Sequence, residues 1–243
     1  MATTRKQVLV FQHLDVEHPG VFRDFLAEDG FDYVPVELDA GEPIPPLAGA
    51  AALWVMGGPM DVWQEDEHPW LVAEKAAIRA AVREHRLPFL GFCLGHQLLA
   101  AALGGEVGLA ATGEVGVMAV ERCDEAAPSP FLQGMPQTLD VLQWHGAEVS
   151  RLPPDGRALM RSPRCAVQAM SVGERAFSMQ FHLEITQETV PQWRAIPAYR
   201  RALEQSLGSD GAQTLEQAAA AALPTFNQLA RRMYLNWREA CGL

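Results

Sequence analysis

Cys93 stands in Gly91-Phe92-Cys93-Leu94-Gly95, where the apolar run Phe89-Leu90-Gly91-Phe92 gives way to Leu98-Leu99-Ala100-Ala101-Ala102-Leu103. A strand that turns straight into a helix through glycines on both sides of one residue is a nucleophile elbow, here carrying a thiol instead of a hydroxyl. The thiolate is the reactive form of cysteine, so the site has to favour negative charge on sulfur. The elbow aims the sulfur over the N-terminus of a helix starting near Leu94, where unpaired N–H groups and the helix dipole do so. Gly91 and Gly95 let neighbouring elements approach a strained turn. Cys123, Cys165 and Cys241 lack this setting and read as inert.

A thiol nucleophile needs a base, and Met179-Gln180-Phe181-His182-Leu183-Glu184 offers one. Placed at the end of the last core strand, His182 and Glu184 share one side, so the carboxylate can orient the imidazole and stabilise its protonated form. A histidine neutral near pH 7 can take the thiol proton and return it to a leaving amine. A His-x-Glu pair is commonplace on surfaces and gains meaning only beside the elbow. Gly57-Gly58-Pro59 is the third piece, at the end of an apolar strand. Acyl transfer needs N–H donors facing the developing oxyanion, and the amides of Gly58 and Leu94 are the expected pair. Taken alone, Gly-Gly-Pro is an ordinary turn.

The elements that must position these groups alternate. Val8–Phe11, Tyr33–Val36, Ala52–Met56 and Phe89–Phe92 read as short buried strands. Helical spacing follows at Val21, Phe22, Phe25 and Leu26, across residues 70–86, and from the elbow to Leu103. Apolar strands alternating with helices predict an α/β fold, a doubly wound, mostly parallel sheet with helices on both faces. The site belongs at the carboxyl ends of its strands. Between Gly113 and Met179 the texture changes to strands at 115–120, 139–142, 158–160, 167–170 and 176–179 with little helix, so hairpins replace parallel wrapping. Beyond Glu184 the chain turns helical. Thr225 and Gln228 read as a capping box, and Phe226, Leu229, Met233 and Trp237 form an amphipathic stripe for the domain or a second subunit.

With 243 residues, 49% of them apolar, the chain can bury a full core. A net charge of −11 leaves no electrostatic footprint for nucleic acid or anionic membrane. The four cysteines lack CxxC spacing, against a disulfide framework or a zinc site. The segment from Met1 to Gln7 leads into a short strand and does not read as a signal peptide. No apolar run spans a bilayer, and a cytoplasmic setting that keeps a thiol reduced is expected.

Taken together, Gly91-Phe92-Cys93-Leu94-Gly95-His96-Gln97, Gly57-Gly58-Pro59 and Gln180-Phe181-His182-Leu183-Glu184 resemble the class I, triad-type glutamine amidotransferases over roughly residues 50–190. Met60-Asp61, Asp66-Glu67-His68-Pro69-Trp70-Leu71 and Leu103-Gly104-Gly105 resemble stand-alone members similar to the glutaminase domain of GMP synthetase. The resemblance implies a flavodoxin-like fold over residues 1–190, with 191–243 a helical extension packed on the same domain. It implies a Cys93-His182-Glu184 triad that hydrolyses the side-chain amide of glutamine through a γ-glutamyl thioester and releases ammonia. Gly57, Gln97 and Gly146 would hold substrate; His145 would do the same or is a polar loop residue, Trp144-His145-Gly146 resembling a substrate-side turn after a strand. No metal or organic cofactor is implied. One departure stands out: many relatives carry Pro where this chain has Leu183. PfpI-type cysteine proteins also use an elbow thiol, but with a Glu before the Cys and without the His-x-Glu arrangement.

Three readings remain open at this level. The chain is a glutaminase whose ammonia acceptor is a separate synthetase protein, a hydrolase of another γ-glutamyl peptide or amine, or a non-catalytic binding relative. Oligomeric state stays open, a homo-oligomer included.

Overall fold

The computed structural model describes residues 6–123, 128–208 and 210–243; residues 1–5, part of the segment read against a signal peptide, lie outside them. In chain order the elements are β1 (Lys6–Gln12), α1 (Phe22–Glu28), β2 (Phe31–Glu37), β3 (Ala52–Val55), α2 (Trp70–Arg79), β4 (Phe89–Phe92), α3 (Leu94–Ala102), β5 (Glu106–Arg122), β6 (Thr138–Arg151), β7 (Gly156–Arg161), β8 (Ala169–Val172), β9 (Ala176–Met179), α4 (Thr189–Ala195), α5 (Pro197–Leu207) and α6 (Gly211–Cys241).

The strands form one sheet of order β2-β1-β3-β4-β9-β8-β7-β5-β6. Its first five strands are parallel, β1 to β4 as expected from their apolar runs, whereas β9 lay in the stretch read as hairpins. Their order is the flavodoxin-like one, which reverses beside β1 and opens a crevice at the carboxyl ends. β3, β4 and β9 are four residues long and wholly buried, so each delivers the chain abruptly to that crevice. Pro35 lies in β2, where the edge position tolerates its missing N–H. The remaining strands pair antiparallel, with β5 and β6 making a long hairpin.

Apolar clusters fill both faces. One joins Leu53, Phe89, Leu71, Ile78, Leu94 and Leu98 under α2 and α3. The other packs Phe22, Trp54 and Phe92 against Phe226, Tyr234 and Trp237 of α6. Trp237 Nε1 donates to the carbonyl of Phe89 at 2.9 Å. Phe226, Met233 and Trp237 are therefore buried within this chain rather than offered to a second subunit.

Several local expectations need correction. The helix from Trp70 is α-helical only to Arg79 and winds as a π-turn over Ala80–Glu84, which periodicity cannot distinguish. The strand read at 167–170 runs over Ala169–Val172. No helix starts at Thr225: α6 begins at Gly211 and passes through Pro224. A proline interior to a helix costs about 3 kcal/mol, which the burial of Leu215, Ala219, Phe226 and Ala230 along one stripe offsets. Trp144-His145-Gly146 is not a turn but the middle of β6. Among the described residues no helix is long and apolar enough to cross a membrane.

Candidate active site

Cys93 follows β4 directly and takes φ 50°, ψ −105°. A non-glycine residue in the left-handed region is strained and persists only where its surroundings over-determine it. Here the Cys93 N–H donates to Met179 O at 2.9 Å, and its carbonyl accepts the amides of His96 and Gln97 at 3.0 and 3.2 Å. The flanking glycines have steric causes. A Cβ on Gly91 would lie 2.8 Å from Gly95 O, and one on Gly95 would lie 2.1 Å from Val55 O. Gly95→Ala should therefore push α3 off β3, at about 3 kcal/mol or more given such overpacking. A fall in the denaturant midpoint together with lost thiol reactivity checks this; a midpoint like wild type would refute it.

His182 and Glu184 lie beyond the end of β9, so strand alternation does not set their geometry as expected. A single antiparallel bridge to Leu142 holds His182, its N–H donating to Leu142 O at 2.8 Å. Glu184 Oε1 meets His182 Nδ1 at 2.6 Å, and Oε2 accepts the Leu183 N–H at 2.9 Å. A proline at 183 could not make that second bond, so the departure at Leu183 adds a donor to the carboxylate. The Glu184 carbonyl accepts the Val21 amide at 2.9 Å, and Gly20 (φ 50°) leaves no room for a Cβ against it. Cys93 is close enough to the imidazole to influence its charge. Burial alone would lower the His182 pKa, but the Glu184 charge, the neighbouring Cys93 and the Glu184 hydrogen bond outweigh it and hold it well above the ordinary imidazole value.

A cavity of about 200 Å³ opens on the sulfur, lined by Gly58, Leu94, Gln97, Trp144, His145, Gly146 and Tyr199 among others. Leu94 opens α3, and a Cβ on Gly58 would touch its side chain at 2.9 Å, so the two residues adjoin. Gly57 itself is not among the lining residues; its carbonyl accepts His13 Nδ1–H at 2.7 Å. Gln97 Nε2 donates to Ala147 O at 3.1 Å and to Gln180 Oε1 at 3.0 Å, while Gln180 Nε2 lies 3.5 Å from Cys93 Sγ. Both ring nitrogens of His145 are engaged, with Ala147 O at 3.0 Å and Glu114 Oε2 at 3.1 Å. A register shift in β5 between Leu109 and Glu114 sets that carboxylate opposite His145, so the imidazole braces β6.

Other neighbours had no sequence signal. Trp193 packs edge-on against the His182 ring, centroids 4.6 Å apart, and closes an aromatic triangle with Trp144 and Tyr199. The Tyr199 hydroxyl donates to the buried Glu17, and its carbonyl accepts Trp144 Nε1. Burial holds the Glu17 carboxyl above its usual range despite the His182 charge. Trp193 and Tyr199 come from α4 and α5, Glu17 from the loop after β1, and nothing in their spacing marks them. Among the described residues no cluster of His, Cys, Asp or Glu could hold a metal ion.

Comparison with known proteins bears on this geometry. The family described as glutamine amidotransferase class-I matches residues 26–192. The chain is 40% identical over 103 residues to one subunit of the glutamine-hydrolysing GMP synthase of Pyrococcus furiosus, covering 42% of this chain and 53% of that one. It is 38% identical over 149 residues to the GMP synthase of Aeropyrum pernix, covering 61% of this chain and 26% of that one. The chain thus spans about a quarter to a half of the curated relatives it matches. A glutamine amidotransferase from Thermotoga maritima superposes with TM-score 0.85 at 28% identity, over 99% of this chain and 100% of that one. Another from Methylobacillus flagellatus gives 0.84 at 31% identity, over 98% and 96%.

Proposed function

Since the chain belongs to the class-I glutamine amidotransferase family, we propose that it hydrolyses the side-chain amide of glutamine and releases ammonia. The observation carrying this reading is the hydrogen-bonded pair His182–Glu184 beside Cys93, whose sulfur lies at a cavity lined by Gly58 and Leu94. His182 takes the thiol proton, and Sγ adds to the amide carbonyl carbon. The amides of Gly58 and Leu94 receive the oxyanion. Collapse breaks the C–N bond, and imidazolium His182 returns the proton to the departing nitrogen, leaving a γ-glutamyl thioester and ammonia. Water, deprotonated by His182, then adds to the thioester; the C–S bond breaks and glutamate leaves. Gln97, His145 and Gly146 shape the substrate wall, with Gly57 setting the peptide that carries the Gly58 amide.

The nitrogen departs beside His182, and that side is filled. Trp193, Tyr199 and Glu17 are buried there at 3%, 7% and 2% exposure. Ammonia fits such a space better than a peptide or aryl amine, which favours glutamine over a bulkier γ-glutamyl amide. The Pyrococcus relative is named as one subunit of its synthase, which supports a separate synthetase protein as ammonia acceptor. A reduced thiol nucleophile fits the cytoplasm.

An amine-release assay on the chain alone, comparing glutamine with γ-glutamyl peptides and γ-glutamyl anilides, tests this. Glutamine should be the best substrate. Faster cleavage of a γ-glutamyl peptide would replace the reading with the peptide-hydrolase alternative.

A further inference from the structure

His13 is fully buried, follows β1 directly, and stacks on Trp70 with ring centroids 5.3 Å apart. Its Nδ1 lies 2.7 Å from Gly57 O, which can only accept, so Nδ1 carries a proton. Its Nε2 lies 2.9 Å from Oε1 of Glu74, a carboxylate also at 0% exposure. Glu74 Oε2 is buried with no hydrogen-bond partner among the described residues, so no second polar group compensates for burying that carboxylate. A buried ion pair is a weak source of stability, because desolvation offsets the attraction. Its placement points to another use.

In a trans peptide the carbonyl and the following N–H point to opposite sides. Clamping Gly57 O toward His13 therefore aims the Gly58 N–H away from it. Gly58 lines the cavity at Cys93, whereas His13 is fully buried and not among its lining residues, and a Cβ on Gly58 would stand 3.0 Å from His13 Cβ. We propose that the Glu74–His13 pair is a positioning device for the oxyanion site: it locks the Gly57–Gly58 peptide with the Gly58 N–H toward the reacting carbonyl, and adds a buried positive charge behind it. The inference rests on the glutaminase reading above. Burial lowers the His13 pKa, but the Glu74 charge and bond and the Gly57 carbonyl reverse this and leave it raised, and both ring nitrogens face oxygen acceptors. The other carboxylates that feel His13 are Glu17, in the loop after β1, and Glu37, at the end of β2.

Glu74→Gln and His13→Asn test the device; asparagine places its amide N–H near the position of Nδ1 and drops the charge. Each variant, with wild type, is measured for kcat, KM, thermal midpoint and the rate of Cys93 alkylation by iodoacetamide, which forms no oxyanion. The expected result is a kcat about 10- to 100-fold lower, short of the about 10²–10³ lost with an oxyanion donor itself. KM and the alkylation rate should stay within about threefold, since only the transition state is affected. His13→Asn should retain more kcat than His13→Leu. In Glu74→Gln, kcat should fall further as pH rises, because His13 now loses its proton at lower pH. Turnover in both variants equal to wild type at every pH would overturn the inference alone. So would alkylation falling in step with kcat, the mark of a displaced elbow. A wild type that alkylates at Cys93 yet releases no ammonia from glutamine would overturn the glutaminase reading and this inference with it.

Discussion

Alanine at position 93 is expected to remove ammonia release from glutamine by a factor on the order of 10⁴ or more, with the fold intact. None of the other three thiols lines the cavity at the elbow. Burial pushes Cys165 and Cys241 up to about 12, so neither offers a thiolate near neutral pH. Both are buried outside the cavity at the elbow. The fold should survive because the cost of position 93 lies in its backbone, at φ 50°, and alanine takes the same conformation. The hydrogen-bond distances of the sulfur are long, with Trp144 O at 4.0 Å and Gln180 Nε2 at 3.5 Å. Turnover by purified Cys93→Ala and its circular dichroism melt check this. Activity above one-tenth of wild type would end the thioester mechanism, while Cys165→Ala should match wild type.

Glu184→Gln should cost on the order of 10⁴-fold in kcat with little change in shape, the loss that follows when a triad carboxylate becomes an amide. Two donors converge on Glu184, the His182 Nδ1–H and the Leu183 N–H. Glutamine keeps one acceptor oxygen and presents an N–H₂ in place of the other. If the oxygen serves Leu183, the amide donates to Nδ1, and the neutral ring then carries its proton on the side facing Cys93. In that tautomer it cannot take the thiol proton. The pH profile should move as well. Glu184 is the largest influence raising the His182 pKa against burial, so removing its charge lowers that pKa. The imidazolium that protonates the leaving nitrogen is then lost at lower pH, and the alkaline limb of kcat/KM shifts toward acid. A variant with the wild-type alkaline limb would refute the assignment of Glu184 as orienting partner.

How far the chain could be read beforehand depends on how local each signal is. The parallel half was legible because its buried strands are unbroken apolar runs, and the elbow because Gly91, Cys93 and Gly95 sit within five residues. His182 and Glu184 were legible as a pair but with the wrong cause: a bridge to Leu142, not strand alternation, presents them. Trp144-His145-Gly146 was misread as a turn because polar residues inside a strand resemble a loop until the paired Glu114 is known. The capping box at Thr225 failed because Pro224 resembles a helix start, and only the packing stripe carries α6 through it.

The sequence by itself determined the candidates for the chemistry: the thiol on an elbow, the His-x-Glu pair proposed to serve it, and a parallel sheet with its carboxyl ends at hand. Such signals survive in one dimension because an elbow and a His-x-Glu pair are each built from consecutive residues. Tertiary structure alone decided what surrounds that chemistry. His13 and Glu74 meet under Gly57 across 61 positions, and Glu17 meets Tyr199 across 182. Such contacts join side chains whose separation carries no period and no turn chemistry, so they exist only once the sheet has brought β1, α2 and α5 to one edge.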